Sequence, residues 1–106
     1  MPETVYDIDL NGQGDVLRVQ FATDAGAVVD FLVQYETTID DRRKAVVRYD
    51  SHHGRGHRDM LDWNGRNYRK EWAPEGASLG DVLTWAVDDL AANWERYRAD
   101  FLRRRP

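Results

Sequence analysis

Up to Trp72, apolar and polar positions along the chain mostly alternate with a period of two. Beyond Leu79 the apolar residues recur every three or four positions. The first spacing is that of half-buried strands and the second that of an amphipathic helix. Val16 to Ala22 reads as a strand closed by a turn at Asp24-Ala25-Gly26. From Ala27 to Ile39, the residues Val29, Phe31, Val33, Tyr35, Thr37 and Ile39 share one parity, which predicts one long strand with a single buried face. Asp40-Asp41-Arg42 makes a polar turn, and Lys44 to Asp50 forms the next strand. Asp59 to Trp63 and Asn67 to Trp72 flank Asn64-Gly65, a hairpin signal because both turn positions tolerate positive φ. Thr4 to Leu10 is a weaker first strand, and Ser51 to Gly56 lacks apolar residues and reads as a loop.

Pro74-Glu75-Gly76 ends the sheet pattern. Ser78 stands where an N-cap belongs, with Asp81 three residues later. Leu79, Val82, Leu83, Ala86, Leu90, Trp94, Tyr97 and Phe101 then describe one stripe, which predicts a helix over about 79–103. Trp85 and Val87 lie off the centre of that stripe and read as core positions, with a partner surface as the other use. The economical architecture is α+β: an antiparallel meander of five or six strands over about 4–72, with one long C-terminal helix on one face. A partly closed barrel plugged by the helix is the alternative. The whole chain, 1–106, reads as one domain.

Composition narrows the chemistry. The chain has no Cys, which removes disulfides, thiolate metal sites and thiol nucleophiles. It has no apolar run long enough to span a bilayer and starts without a secretory pattern, so a cytoplasmic protein with no membrane partner is expected. The net charge of −4 averages over an asymmetry. Residues 1–41 hold nine acids and one base, whereas residues 42–72 hold nine bases, four acids and all three histidines. A basic middle suits an anionic ligand, although cross-strand pairing with the acidic segment would use the same charges.

The chemistry-bearing stretch is Arg48-Tyr49-Asp50-Ser51-His52-His53-Gly54-Arg55-Gly56-His57-Arg58-Asp59. Metal-independent RNA cleavage needs a base for the 2′-OH, an acid for the 5′-oxygen and cations for the phosphorane. His titrates near neutrality and Arg grips phosphate. On that reading His53 and His57 are base and acid, and Tyr49 positions the substrate. Arg48, Arg55, Arg58 and His52 bind it, while Asp50 and Asp59 orient their neighbours. Gly54 and Gly56 would admit a phosphate to the backbone. No cofactor is required. A metal site built from His52, His53 and His57 with Asp50 or Asp59 is a second reading, opposed by irregular spacing and by the nearby arginines. A third is a non-catalytic nucleic-acid surface with Tyr68, Trp63 and Trp72 as stackers, although a domain this small needs its aromatics for its core. A purely structural use also fits, in which His57 and Asp59 begin a strand and pair across it with Arg48 and Asp50.

The stretch resembles a family of small uncharacterised bacterial and archaeal proteins. The shared pattern here is Arg48-Tyr49-Asp50, His53-Gly54, His57-Arg58-Asp59 and Asn93-Trp94-Glu95-Arg96-Tyr97, within about residues 45–102. More distantly it is similar to the TumE-like toxins of toxin–antitoxin modules, without their proline-rich His-His loop. The resemblance implies a toxin-like α+β protein that acts on RNA, here as an endoribonuclease, and is neutralised by a cognate antitoxin. The alternatives are a protein- or nucleic-acid-interaction module, with a homodimer surface on the helix, and a metal-dependent hydrolase.

Overall fold

The computed structural model describes residues 2–51 and 54–106. Six strands run in chain order: β1 (Glu3–Asp9), β2 (Val16–Asp24), β3 (Ala27–Ile39), β4 (Arg42–Asp50), β5 (His57–Leu61) and β6 (Asn67–Trp72). They form one antiparallel sheet in the same order, followed by helix α1 (Leu79–Arg103). The meander and the single helix are those the sequence pattern predicts. Sheet order leaves β1 and β6 as edges, so the sheet is open, and the barrel alternative is set aside.

The tight turns follow from local chemistry. Asp40 and Asp41 both adopt positive φ between β3 and β4, a conformation that Asp tolerates better than most side chains. The β5–β6 connection differs from the sequence expectation. Gly65 alone has positive φ there, and the Asp62 carboxylate accepts from the Asn64 and Arg66 amides at 2.9 and 3.0 Å. An Asp side chain that satisfies two turn amides thus replaces the two-residue Asn-Gly hairpin. β5 begins at His57, two residues earlier than its apolar pattern suggested. Ladder pairing with β4 and β6 decides that boundary.

The core lies between α1 and the inner face of β2, β3 and β4. Leu17, Val19, Phe31, Val33, Tyr35 and Val47 meet Val82, Ala86, Leu90, Tyr97 and Phe101 there. Ser78 caps the helix by accepting from the Asp81 amide at 3.1 Å. Trp63 stacks on Phe101 with centroids 5.2 Å apart, and the edge of Trp94 meets Tyr35 at 6.1 Å. Trp85 is not a core residue: it is 47% exposed. Among the described residues, no helix is long and apolar enough to cross a membrane.

Gly56, just before β5, has a packing reason. A Cβ there would lie 2.6 Å from Val82 Cγ1, so the missing side chain lets α1 approach the sheet. Asp15 forms a second buried node. It accepts from Tyr35 and Thr37 at 2.6 Å each and from Asn11 at 2.7 Å, with Arg98 at 3.7 Å. Burial pushes this carboxyl up, but the three hydrogen bonds and the Arg98 charge outweigh burial and hold it below its ordinary value.

Candidate functional site

The register of β4 on β5 sorts the expected site residues. Asp50 pairs with His57, Tyr49 with Arg58 and Arg48 with Asp59. Side chains alternate across a strand, so these pairs divide between the two sheet faces. Arg48, Asp50, His57 and Asp59 take the outer face, away from α1. Tyr49 and Arg58 take the inner face, under the helix. Cross-strand pairing of His57 and Asp59 with Asp50 and Arg48, the structural use considered for these residues, is thus present. His52 and His53 lie outside the described residues.

On the outer face His57 is 2% exposed. Its Nε2 lies 2.8 Å from Asp50 Oδ1 and 3.3 Å from Asp59 Oδ2. Register places Trp72 beside His57 on β6, with ring centroids 5.0 Å apart. Trp72 is 47% exposed, so it roofs the imidazole and still presents a surface to solvent. The Arg55 guanidinium lies 5.5 Å and the Lys70 ammonium 5.4 Å from the Trp72 ring centroid, within the range of cation–π contact. Arg55 also donates to the Ala73 carbonyl at 2.9 Å, which ties the loop to the end of β6. Lys70 Nζ stands 3.6 Å from Asp59 Oδ1. Arg48 is turned along the sheet, its Nε donating to Gln34 Oε1 at 2.7 Å. The reachable member of the centre is Asp50, whose side chain is 25% exposed.

The inner face holds a different network. The hydroxyls of Tyr49 and Tyr97 donate to Asp89 Oδ2 at 2.8 and 2.6 Å, and Asn93 donates to Asp89 Oδ1 at 2.8 Å. Arg58 donates to Tyr97 Oη and to Glu71 Oε1 at 2.7 Å each. Burial and the Asp89 carboxylate push the Tyr49 hydroxyl far up, so it stays protonated and acts as a donor. Burial pushes Asp89 itself up, but hydrogen bonds from Tyr97, Tyr49 and Asn93 and the Arg58 charge outweigh it and hold the carboxyl below its ordinary range. The Arg58 hydrogen bond chiefly holds Glu71 down as well. This network fastens β4, β5 and β6 to the helix. Tyr49 and Arg58 are committed to it rather than to the His57 centre.

Between the two lies a cleft of about 260 Å³, lined by Tyr49, Arg58, Trp72, Pro74, Val82 and Trp85 among others. Sequence reasoning missed Asp89 as a partner of Tyr49 and Lys70 as a neighbour of Asp59. Asp89 had a signal: with Asn93 and Tyr97 it repeats at four-residue intervals beside the apolar stripe. Lys70 had one only through register, since the β6 pairing sets it opposite Asp59. Trp72 and Tyr68 are substantially exposed, which departs from the packing role expected of them, whereas Trp63 has that role.

Searches of curated proteins and of solved structures find no match to this chain. A family model does match, and it spans residues 1–106, the strand ends at His57 as well as the helix with its Asp89 network; the chain belongs to that family, described as a domain of unknown function (DUF7718).

Proposed function

We propose that this chain is a toxin-like, RNA-directed protein that acts at the outer sheet face around Asp50, His57 and Trp72, and that its activity there is endoribonucleolytic. The observation that carries the reading is the half-exposed Trp72 ring, flanked by Arg55 and Lys70 and seated on His57. An exposed aromatic with cations on its borders is how single-stranded nucleic acid is held: a base stacks and the phosphates meet the cations. The adjacent Asp50–His57 pair supplies the acid–base chemistry. Asp50, the member that solvent reaches, takes the 2′-OH proton while the 2′-oxygen bonds to phosphorus and the bond from phosphorus to the 5′-oxygen breaks. His57, enclosed behind Asp50, orients that carboxylate, and water protonates the departing 5′-oxygen. His57 is thus the positioning partner of a carboxylate, a more enclosed role than the one expected from sequence. A cognate antitoxin would neutralise the protein by covering this face.

Growth under expression of the chain alone tests the reading. Wild type is expected to arrest growth, and Asp50→Asn to relieve the arrest while the purified variant stays folded. Harmless expression of a well-folded wild type would overturn it.

A second reading is a non-catalytic interaction module, favoured by the exposed Trp85 on the rim of the cleft. Trp85→Lys separates the two. It should leave growth arrest and RNA binding intact if RNA is the target. It should abolish the phenotype if a protein docked at Trp85, a second copy of the chain included, is the functional ligand.

A further inference from the structure

We infer that Asp50, His57 and Asp59 form a binding site for one divalent transition-metal cation, such as Zn²⁺ or Mn²⁺. Three observations converge. First, one donor atom from each of the three residues lies within 4.8 Å of the others. Two atoms each about 2.1 Å from a metal at tetrahedral or octahedral angles sit about 3.0–3.4 Å apart; the 3.3 Å separation of His57 Nε2 from Asp59 lies in that range, and the 2.8 Å separation from Asp50 would open slightly to admit the ion. Second, both carboxylates point at the same imidazole nitrogen. One N–H lies on a single line, so it cannot serve two carboxylate oxygens equally, whereas a cation in its place attracts both. Third, Asp59 is 6% exposed, and its Oδ1 has no hydrogen-bond partner among the described residues, Lys70 standing off at 3.6 Å. A buried carboxylate short of hydrogen bonds gains from a bound cation.

The two objections visible in the sequence do not survive the geometry. Ligand spacing along the chain is irregular because the ligands come from adjacent antiparallel strands: Asp50 and His57 are a cross-strand pair, and Asp59 follows His57 on the same face. The arginines make their hydrogen bonds elsewhere, and the cation at the ligands is Lys70, 3.6 Å from Asp59 Oδ1, which a bound ion would displace. Arg58 is on the opposite face with Glu71 and Tyr97, Arg48 is bonded to Gln34, and Arg55 reaches Ala73. One imidazole and two carboxylates suit a borderline ion such as Zn²⁺ or Mn²⁺ better than Ca²⁺. Asp50, with its side chain 25% exposed, is the member of the set that faces solvent. The inference runs against the metal-independent chemistry expected from sequence and against Asp50 acting as a free base beside His57, since the ion would take the place of the hydrogen between them. It is separate from RNA recognition: the ion should bind with no RNA present.

Isothermal titration of the untagged, chelator-stripped full chain with ZnCl₂ and with MnCl₂ tests it. The expected result is saturable binding of one ion per chain and a rise in melting temperature with Zn²⁺. Asp50→Asn and Asp59→Asn keep side-chain shape, and each should weaken binding by about tenfold or more while remaining folded. Absence of saturable binding of either ion up to about 1 mM by folded wild type would overturn the inference. So would affinities that Asp50→Asn and Asp59→Asn leave unchanged, which would put the ion elsewhere. RNA binding measured in chelator is unaffected by either result.

Discussion

Replacing Asp89 by Asn removes one charge from the network that fastens the site-bearing strands to the helix. The carboxylate accepts three hydrogen bonds, from Tyr49 and Tyr97 on one oxygen and from Asn93 on the other. Hydrogen bonds to a charged group contribute about 1.5–3 kcal/mol each. They share one acceptor and are not additive. Asn keeps one acceptor oxygen, so the expected loss is about 2–4 kcal/mol at neutral pH, or on the order of 10–25 °C in melting temperature for a domain of this size. Urea unfolding of both proteins across pH measures it. In the folded chain the carboxyl lies below its ordinary value. Its stabilisation is therefore fully present above the unfolded value of about 3.9 and is lost as pH falls through the lower folded one. Asn does not titrate. The gap between the two proteins should hold steady between about pH 5 and 8 and narrow below about pH 4. A gap under about 0.5 kcal/mol at neutral pH would refute the reasoning, since that is the scatter of ordinary surface changes. So would a gap as large in strong acid as at neutrality.

Gly56→Ala should cost about 1–3 kcal/mol, because the new methyl group meets Val82 at 2.6 Å; the double variant with Val82→Ala should recover part of that loss in urea melts. Asp15→Asn should destabilise by about 1–3 kcal/mol at neutral pH through its buried bonds to Tyr35 and Thr37. Its cost, like that of Asp89→Asn, should shrink in acid, because the Asp15 carboxyl is also held below its ordinary value. Trp85→Lys should change stability by less than about 0.5 kcal/mol, the mark of a surface residue outside the core.

The fold was legible because burial sets the pattern. Phe31, Val33, Tyr35, Thr37 and Ile39 repeat every second position and all are buried, and the span Ala27–Ile39 emerges with its ends intact. Val29, of the same parity, is exposed because the β2–β3 register slips at Ala22/Thr23: Val29 is left unpaired and the alternation breaks there. The helix Leu79–Arg103 was equally plain from its stripe and its Ser78 cap. Trp85 misled because aromatic size suggests burial, yet it stands half exposed on the rim of the cleft between the helix and the end of the sheet. The site was legible as a stretch of chain but not as a geometry. Period two divides Arg48-Tyr49-Asp50 and His57-Arg58-Asp59 between faces, and only the register shows that Tyr49 joins Asp89 while Asp50 joins His57. The glycines of the loop show the same limit. Gly56 was read as room for a phosphate, and its neighbour proved to be Val82.

RNA binding by the face bearing Trp72 is the proposed activity of this chain. Fluorescence anisotropy of a labelled single-stranded RNA, titrated with the chain in excess chelator at low salt, tests it most directly. Saturable binding that weakens as salt rises is expected. Trp72→Ala and Lys70→Glu should each lower affinity by about tenfold, the loss of a stacked base or a phosphate contact, with melting temperatures near that of wild type. Folded wild type that leaves the anisotropy flat up to about 100 μM, within the range of ordinary non-specific binding, would contradict it.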